Sequence, residues 1–241
     1  ENVDLWYETN PSLGLTLKER PISNEIGKNE AGILDFNIQR LGLWLRYTQK
    51  SAITETEWMR LKCDVLPKVS GPLYIGVKYN QDGGNMAMSI AGWTDEDKIF
   101  TEAIDCRPIR AGNDWVLEYI TALGSYAGKV VVDGAAGQQL LKEQMQKKRL
   151  KPPVLPTVGQ IISANSSFEH TVLQRKLCHM GQPSLSWIIS NCDHRAIGSG
   201  GGFGYKSLKP ELDISLMDSV VLAAWAADEF RQKKRKQVIS Y

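Results

Sequence analysis

Asp133 closes the apolar run VVVD, residues 130–133, and Asp218 lies inside the hydrophobic segment ELDISLMDSVVLAAWAA. Neither is a natural place for an ionised carboxylate. In the helix that the second segment predicts, Ile214, Met217, Val221 and Trp225 recur at three- and four-residue steps and mark the face turned to the core. Asp218 shares that face, and a buried charge without a partner is costly enough to demand a cation or a set of donors. A salt bridge to a lysine or arginine would meet that demand. Asp133 ends a strand, and in open α/β sheets ligand chemistry gathers at the carboxyl ends of strands. Capping the helix that follows, AAGQQLL, is its simpler use. Together, a strand-end acid and a core-facing helical acid predict a divalent-metal site of the two-metal phosphodiester type.

Other clusters fit their chemistry less well. IGSGGGFGYKS, residues 197–207, has the ingredients of a phosphate-binding loop, but that loop needs glycine immediately before its lysine, and Tyr205 separates Gly204 from Lys206. A glycine-rich hairpin tip is the reading that remains. Cys63, Cys106, Cys178 and Cys192 form no CxxC pair, which suits a reducing compartment, and with His179 and His194 they match no zinc spacing. The basic runs at 142–151 and 231–237 could meet DNA phosphates by counterion release or serve as solvated faces.

These residues need a frame. LYIGVKY (73–79), MAMSIAGW (86–93) and KIFTEAI (98–104), separated by the turn sequences NQDGGN and TDED, predict a three-stranded antiparallel meander. A helix around NDWVLEYITAL, the buried strand KVVVD (129–133) and the helix AAGQQLLKEQMQKKRL follow. After extended PPVLPTV comes a helical stretch from Gln160 to Cys178, then the glycine hairpin and the helix ISLMDSVVLAAWAADEF. The sum is an α/β fold with a mixed central sheet, antiparallel at one edge and parallel at the other, flanked by helices. Residues 1–68 are turn-rich, then charged, then amphipathic, with a capping-box pair at Thr54 and Glu57, and predict a linker or lid ahead of a compact domain at 69–241.

A chain of 241 residues that is 42% hydrophobic can bury one sizeable core, and a net charge of +2 confines any nucleic-acid binding to local patches. No apolar run approaches the ~20 residues that span a bilayer. The opening ENVDLWYE has neither an initiator methionine nor a signal-like stretch, so the expectation is a soluble, intracellular piece of something longer.

LWYETNPSLG, VVVDG, HMGQPSLSWIISN and ELDISLMDSVVLAAWAA resemble parts of the large terminase subunit of tailed bacteriophages. In order, they are similar to the tail of its ATPase region, its second acidic motif, its H-x-G-N-P-x-L-x-W-x-x-x-N signature and its final acidic helix. The resemblance implies an RNase H-like nuclease domain that cuts concatemeric double-stranded DNA in the cytoplasm of the bacterial host. Mg²⁺ or Mn²⁺ would be the cofactor, Asp133 and Asp218 the catalytic and metal-binding acids, and the terminase small subunit and the portal protein the partners, with no membrane involved. The ATP-binding motifs of the family lie upstream of this chain. The glycine stretch falls where the family has a β-hairpin suited to touching DNA, which makes Lys206, with Lys209, a phosphate contact.

One position departs from the family. Its first strand carries an aspartate in a pattern like G-x-D, whereas here GVKYN puts Lys78 in that place. Asn85 stands where many relatives have a second aspartate, and the nearest acid is Asp82, in the turn, the candidate third metal ligand. Lys78 shares its strand face with Tyr74 and Gly76 and, if the family alignment holds, is expected to point at Asp133 and Asp218, charged, where a metal would sit; the alternative is that the strand bends and Lys78 snorkels to solvent. Two readings follow: a metal-dependent endonuclease attenuated by Lys78, or a catalytically lapsed nuclease fold that grips DNA or the portal.

Overall fold

The computed structural model describes residues 51–231. LWYETNPSLG and the basic run beyond Arg231 lie outside the described residues. The chain divides into two units between Gln49 and Lys50, and the described residues belong to the second.

Helix α1 (Glu55–Met59) starts at the expected capping box, with Glu57 N–H donating to Thr54 Oγ1 at 3.2 Å and Thr54 N–H to Glu57 Oε2 at 2.9 Å. Strands β1 (Val69–Tyr79), β2 (Asn85–Thr94) and β3 (Ile99–Pro108) form the antiparallel meander. Helix α2 (Asp114–Leu123) leads to β4 (Ala127–Asp133), which lies parallel to β1. Helices α3 (Gln138–Lys147) and α4 (Val158–Leu173) follow. The helix expected to reach Cys178 stops at Leu173. Arg175 takes a positive φ of 55°, and Leu177–Cys178 becomes β5, parallel to β3. Then come α5 (Pro183–Ile189), the hairpin β6 (Cys192–Ile197) and β7 (Gly202–Ser207), and α6 (Ser215–Glu229). The five-stranded mixed sheet runs β4-β1-β2-β3-β5, and the hairpin forms a separate ribbon.

The sheet has a core on each face, which is why β1 reads as almost continuously apolar. Ile75, Val77 and Tyr79 join Val116, Leu117, Leu141 and Met145 on the side of α2 and α3. Tyr74, Ala87 and Ala91 join Phe168 and the buried run of α6 on the other. Residues 51–68, assigned to the linker from sequence, pack with this second core through Ile53, Trp58 and Leu61. Their anchor is His179. Its ring stacks on Trp58 with centroids 4.0 Å apart and planes at 9°. Its Nδ1 accepts the Gly181 N–H at 2.9 Å, so Nε2 carries the proton and donates to the Trp58 carbonyl at 2.9 Å. Three residues on, Gln182 pairs both ways with the Ala103 backbone, at 2.8 Å in each direction. The HMGQP segment is therefore a clamp joining α1, β3 and α5.

Helix α6 is fixed to β1 and β2. The Tyr74 hydroxyl donates to the Phe230 carbonyl at 2.7 Å, Trp93 Nε1 to the Ala227 carbonyl at 2.7 Å, and the Ser89 and Ser219 hydroxyls share a bond of 2.6 Å. The approach is closest at Gly76, where a Cβ would come within 2.1 Å of the Ser219 carbonyl oxygen and 2.6 Å of the Ala223 nitrogen. Only glycine lets helix backbone lie this near the strand.

Two outcomes follow. Gly76→Ala should destabilise the domain by roughly 3 kcal/mol through overpacking, measured by denaturant unfolding. Burial holds His179 below its ordinary pKa, so the unfolded chain takes up a proton first and the clamp's contribution falls as pH drops through ~6.5. His179→Gln should cost roughly 2 kcal/mol near pH 8 and less near pH 5, with red-shifted tryptophan emission. A gap independent of pH would mean that His179 does not titrate against folding.

Candidate functional site

Lys78 and Asp133 are partners in the parallel β1–β4 ladder, so their side chains leave the sheet on the same face. That face is the one Gly76 opens to α6, and Asp218 lies in the first turn of α6, directly above. The Lys78 ammonium hydrogen-bonds the Asp133 carboxylate and lies 3.6 Å from Asp218 Oδ2. The lysine side chain is 11% exposed and each aspartate side chain 23%. Burial alone would lower the Lys78 pKa, but Asp218 and Asp133 outweigh it and the net shift is upward, so the ammonium stays charged. Burial pushes the Asp218 carboxyl up, Lys78 pulls it down, Asp133 adds to the rise, and the net is upward. Asp133 does not cap α3, whose N-cap is Gly137 without a side-chain bond.

The hairpin closes the pocket. Lys78, Asp133, Asn165, Arg195, Tyr205 and Asp218 line a cavity of about 20 Å³, room for roughly one water. Among the described residues three bonds hold the ribbon to α4. Asn165 Nδ2 donates to the Phe203 carbonyl at 3.2 Å, and the Tyr205 hydroxyl to Glu169 Oε1 at 3.1 Å. His194 Nε2 reaches the same Glu169 oxygen. A Cβ on Gly202 would meet Ile162 Cδ1 at 2.5 Å, so at least this glycine serves close packing of ribbon on helix. A larger depression of about 700 Å³ lies away from the acids, lined by Gly71, Tyr74, Lys129 and Phe230, with Glu229 its one acid.

The structure thus brings together Lys78, Asp133 and Asp218 and leaves out Asp82. Asp82 is exposed in the β1–β2 turn, its N–H donating to Asn80 Oδ1 at 3.3 Å, because the turn carries it past the end of the ladder that aligns Lys78 with Asp133. Lys206 pairs with Asp193 at 3.6 Å, and Lys209 lies 3.7 Å from the centroid of the Trp187 ring. Arg195, Glu169 and Asp213 escaped the sequence reading. Asp213 accepts from the Ser215 N–H at 2.8 Å, the Ser215 hydroxyl at 2.6 Å and Asn85 Nδ2 at 2.7 Å. Burial opposes ionisation there, but these donors hold its carboxyl below the ordinary value. An acid two residues before a serine at a helix start was the signal available.

As arranged, the pocket does not fit a divalent cation. It offers two carboxylates already bridged by an ammonium, and among the described residues no three of His, Cys, Asp and Glu come together as a metal-binding group.

The sequence matches no protein-family model and no curated protein sequence. The likeness is structural. The large terminase of bacteriophage HK97 superposes with a TM-score of 0.57 at 15% identity, over 94% of this chain and 54% of that one. The chain spans about half the length of that terminase. The large-terminase nuclease of the thermophilic phage G20c gives 0.52 at 11% identity, over 75% of this chain and 98% of that one. The same nuclease with bound magnesium gives 0.52 at 10% identity, over 72% and 97% of the two chains. The fold is the RNase H-like fold of terminase nuclease domains.

Replacing Lys78 by alanine leaves two ionised acids facing each other in a part-buried site. The expected cost is about 3 kcal/mol near pH 8. It should shrink toward pH 4 as Asp218, whose carboxyl is pushed up, takes a proton and the repulsion fades. Thermal unfolding of both proteins across that range is the measurement.

Proposed function

We propose that this chain is the nuclease-fold part of a phage DNA-packaging terminase large subunit, acting on double-stranded DNA in the host cytoplasm. We propose further that its acid pocket is neutralised from within by Lys78, so that DNA is held with little or no cleavage. The terminase fold and the four motifs support the first part, and with it the small subunit and the portal protein as partners. One observation carries the second: the Lys78 ammonium bridges Asp133 and Asp218, the two acids from which a metal site would be built.

A second reading keeps the pocket as a working Mg²⁺- or Mn²⁺-dependent endonuclease site on Asp133 and Asp218. Their convergence on one cavity favours it, as does the magnesium bound to the G20c nuclease. A protein of this class would draw its reaction from metal that neutralises charge on the scissile phosphate. Here Lys78 competes for that position.

Plasmid nicking and Mn²⁺ calorimetry on the wild type, Lys78→Asp and Lys78→Asn separate the two readings. Expected are weak or absent nicking and weak Mn²⁺ binding by the wild type, with both gained by Lys78→Asp and metal binding improved in Lys78→Asn. Strong wild-type nicking, abolished by EDTA and not raised by Lys78→Asp, would establish the second reading.

A further inference from the structure

Arg195 is the second cation of the acid pocket. It stands on β6 opposite Gly204 of β7, and its side chain lines the cavity with Lys78, Asp133 and Asp218. Its Nε donates to the Tyr205 carbonyl at 3.0 Å. Tyr205 is itself fixed, being 2% exposed and bonded through its hydroxyl to Glu169. The guanidinium is therefore anchored through one nitrogen. Among the described residues its two Nη groups make no hydrogen bond and no ion pair, although Asp218 and Lys78 are near enough to feel its charge. The other cations of this face are already engaged, Lys206 with Asp193 and Lys209 over Trp187.

The charge count gives this arrangement a use. Lys78 and Arg195 contribute two positive charges, Asp133 and Asp218 two negative, and the sum is zero. Lys78 bridges the acids alone, so Arg195 is not consumed in holding them. A fixed guanidinium edge with two free nitrogens matches two oxygens of one phosphate. We infer that Arg195, an exposed residue at the rim of this pocket, is its phosphate-binding residue and that, with Lys78 neutralising the acids, it takes a backbone phosphate of DNA outside the small cavity and without any divalent cation. This rests on the proposal that the domain engages double-stranded DNA and adds where and how.

The test is fluorescence anisotropy of a short labelled duplex, titrated with the whole chain in EDTA and again in Mn²⁺, at several salt concentrations. The wild type is expected to bind equally in both. Arg195→Gln should bind roughly tenfold more weakly, with the logarithmic salt slope smaller by about 0.9. Arg195→Lys should restore the slope but only part of the affinity, since it keeps the charge and loses the fork. Unchanged thermal unfolding of the variants ties the effect to binding. An Arg195→Gln protein with unaltered affinity and slope overturns the role of Arg195 and leaves the DNA-binding proposal standing. Binding that appears only with Mn²⁺ overturns the claim of cation independence. A wild type that binds no duplex in either buffer overturns this inference and the proposed function together.

Discussion

Helix α6 lies against β1 with backbone nearly touching backbone, and the rest of the site depends on that contact. Gly76 makes it possible, and Tyr74, Ser89 and Trp93 tie the helix down at successive points along its length. The consequence is that the first turn of α6 hangs over the end of the β1–β4 ladder, and Asp218 comes down beside Asp133. Two carboxylates so placed repel each other and lose water together, so the fold imposes a demand for positive charge at one point. Lys78 meets it from within the chain.

Much of this was legible in the sequence because it rests on periodicity. The meander, the buried β4 strand and α6 follow from alternation, apolar runs and helical stripes, and the strand-face rule puts Lys78 beside Asp133 once β1 and β4 are neighbours. What was not legible depends on distant partners. β5 is two residues long and exists because the edge of β3 offers Ile99 N–H to the Lys176 carbonyl at 2.8 Å. Residues 51–61 look like linker until His179 presents a flat ring to Trp58, 121 positions away. Arg195 sits in a largely exposed, polar strand, and nothing in CDHRAI marks that its side chain, with that of Ile197, lines the pocket that holds the acids.

The glycine stretch and the HMGQP segment carry the same lesson from opposite directions. Both carry residue types that suggest chemistry, glycines with a lysine in the first and His179 next to Cys178 in the second, and in both the spacing argues against it. In three dimensions Gly202 allows the ribbon to lie flat on α4, and His179 is a neutral hydrogen-bonding wedge whose two nitrogens are both occupied by backbone. The ribbon delivers Arg195 and Tyr205 to the pocket, and the clamp joins α1, β3 and α5.

The character of the pocket therefore turns on one residue, and charge shows why. With lysine at position 78, the four charged groups that line the cavity sum to zero. With aspartate there, as the family pattern has it, Lys78's positive charge would become a third negative one, and the same four positions would sum to minus two beside a partly buried surface. An imbalance of that size cannot persist at low exposure without a dication or a proton. The backbone that places these residues would be the same in both cases: the ladder register, the glycine contact and the hairpin do not involve the side chain at 78. Through that exchange the same backbone would pass from a pocket that needs an outside counter-charge to one that carries its own in Lys78, with Arg195 not drawn into bridging the acids.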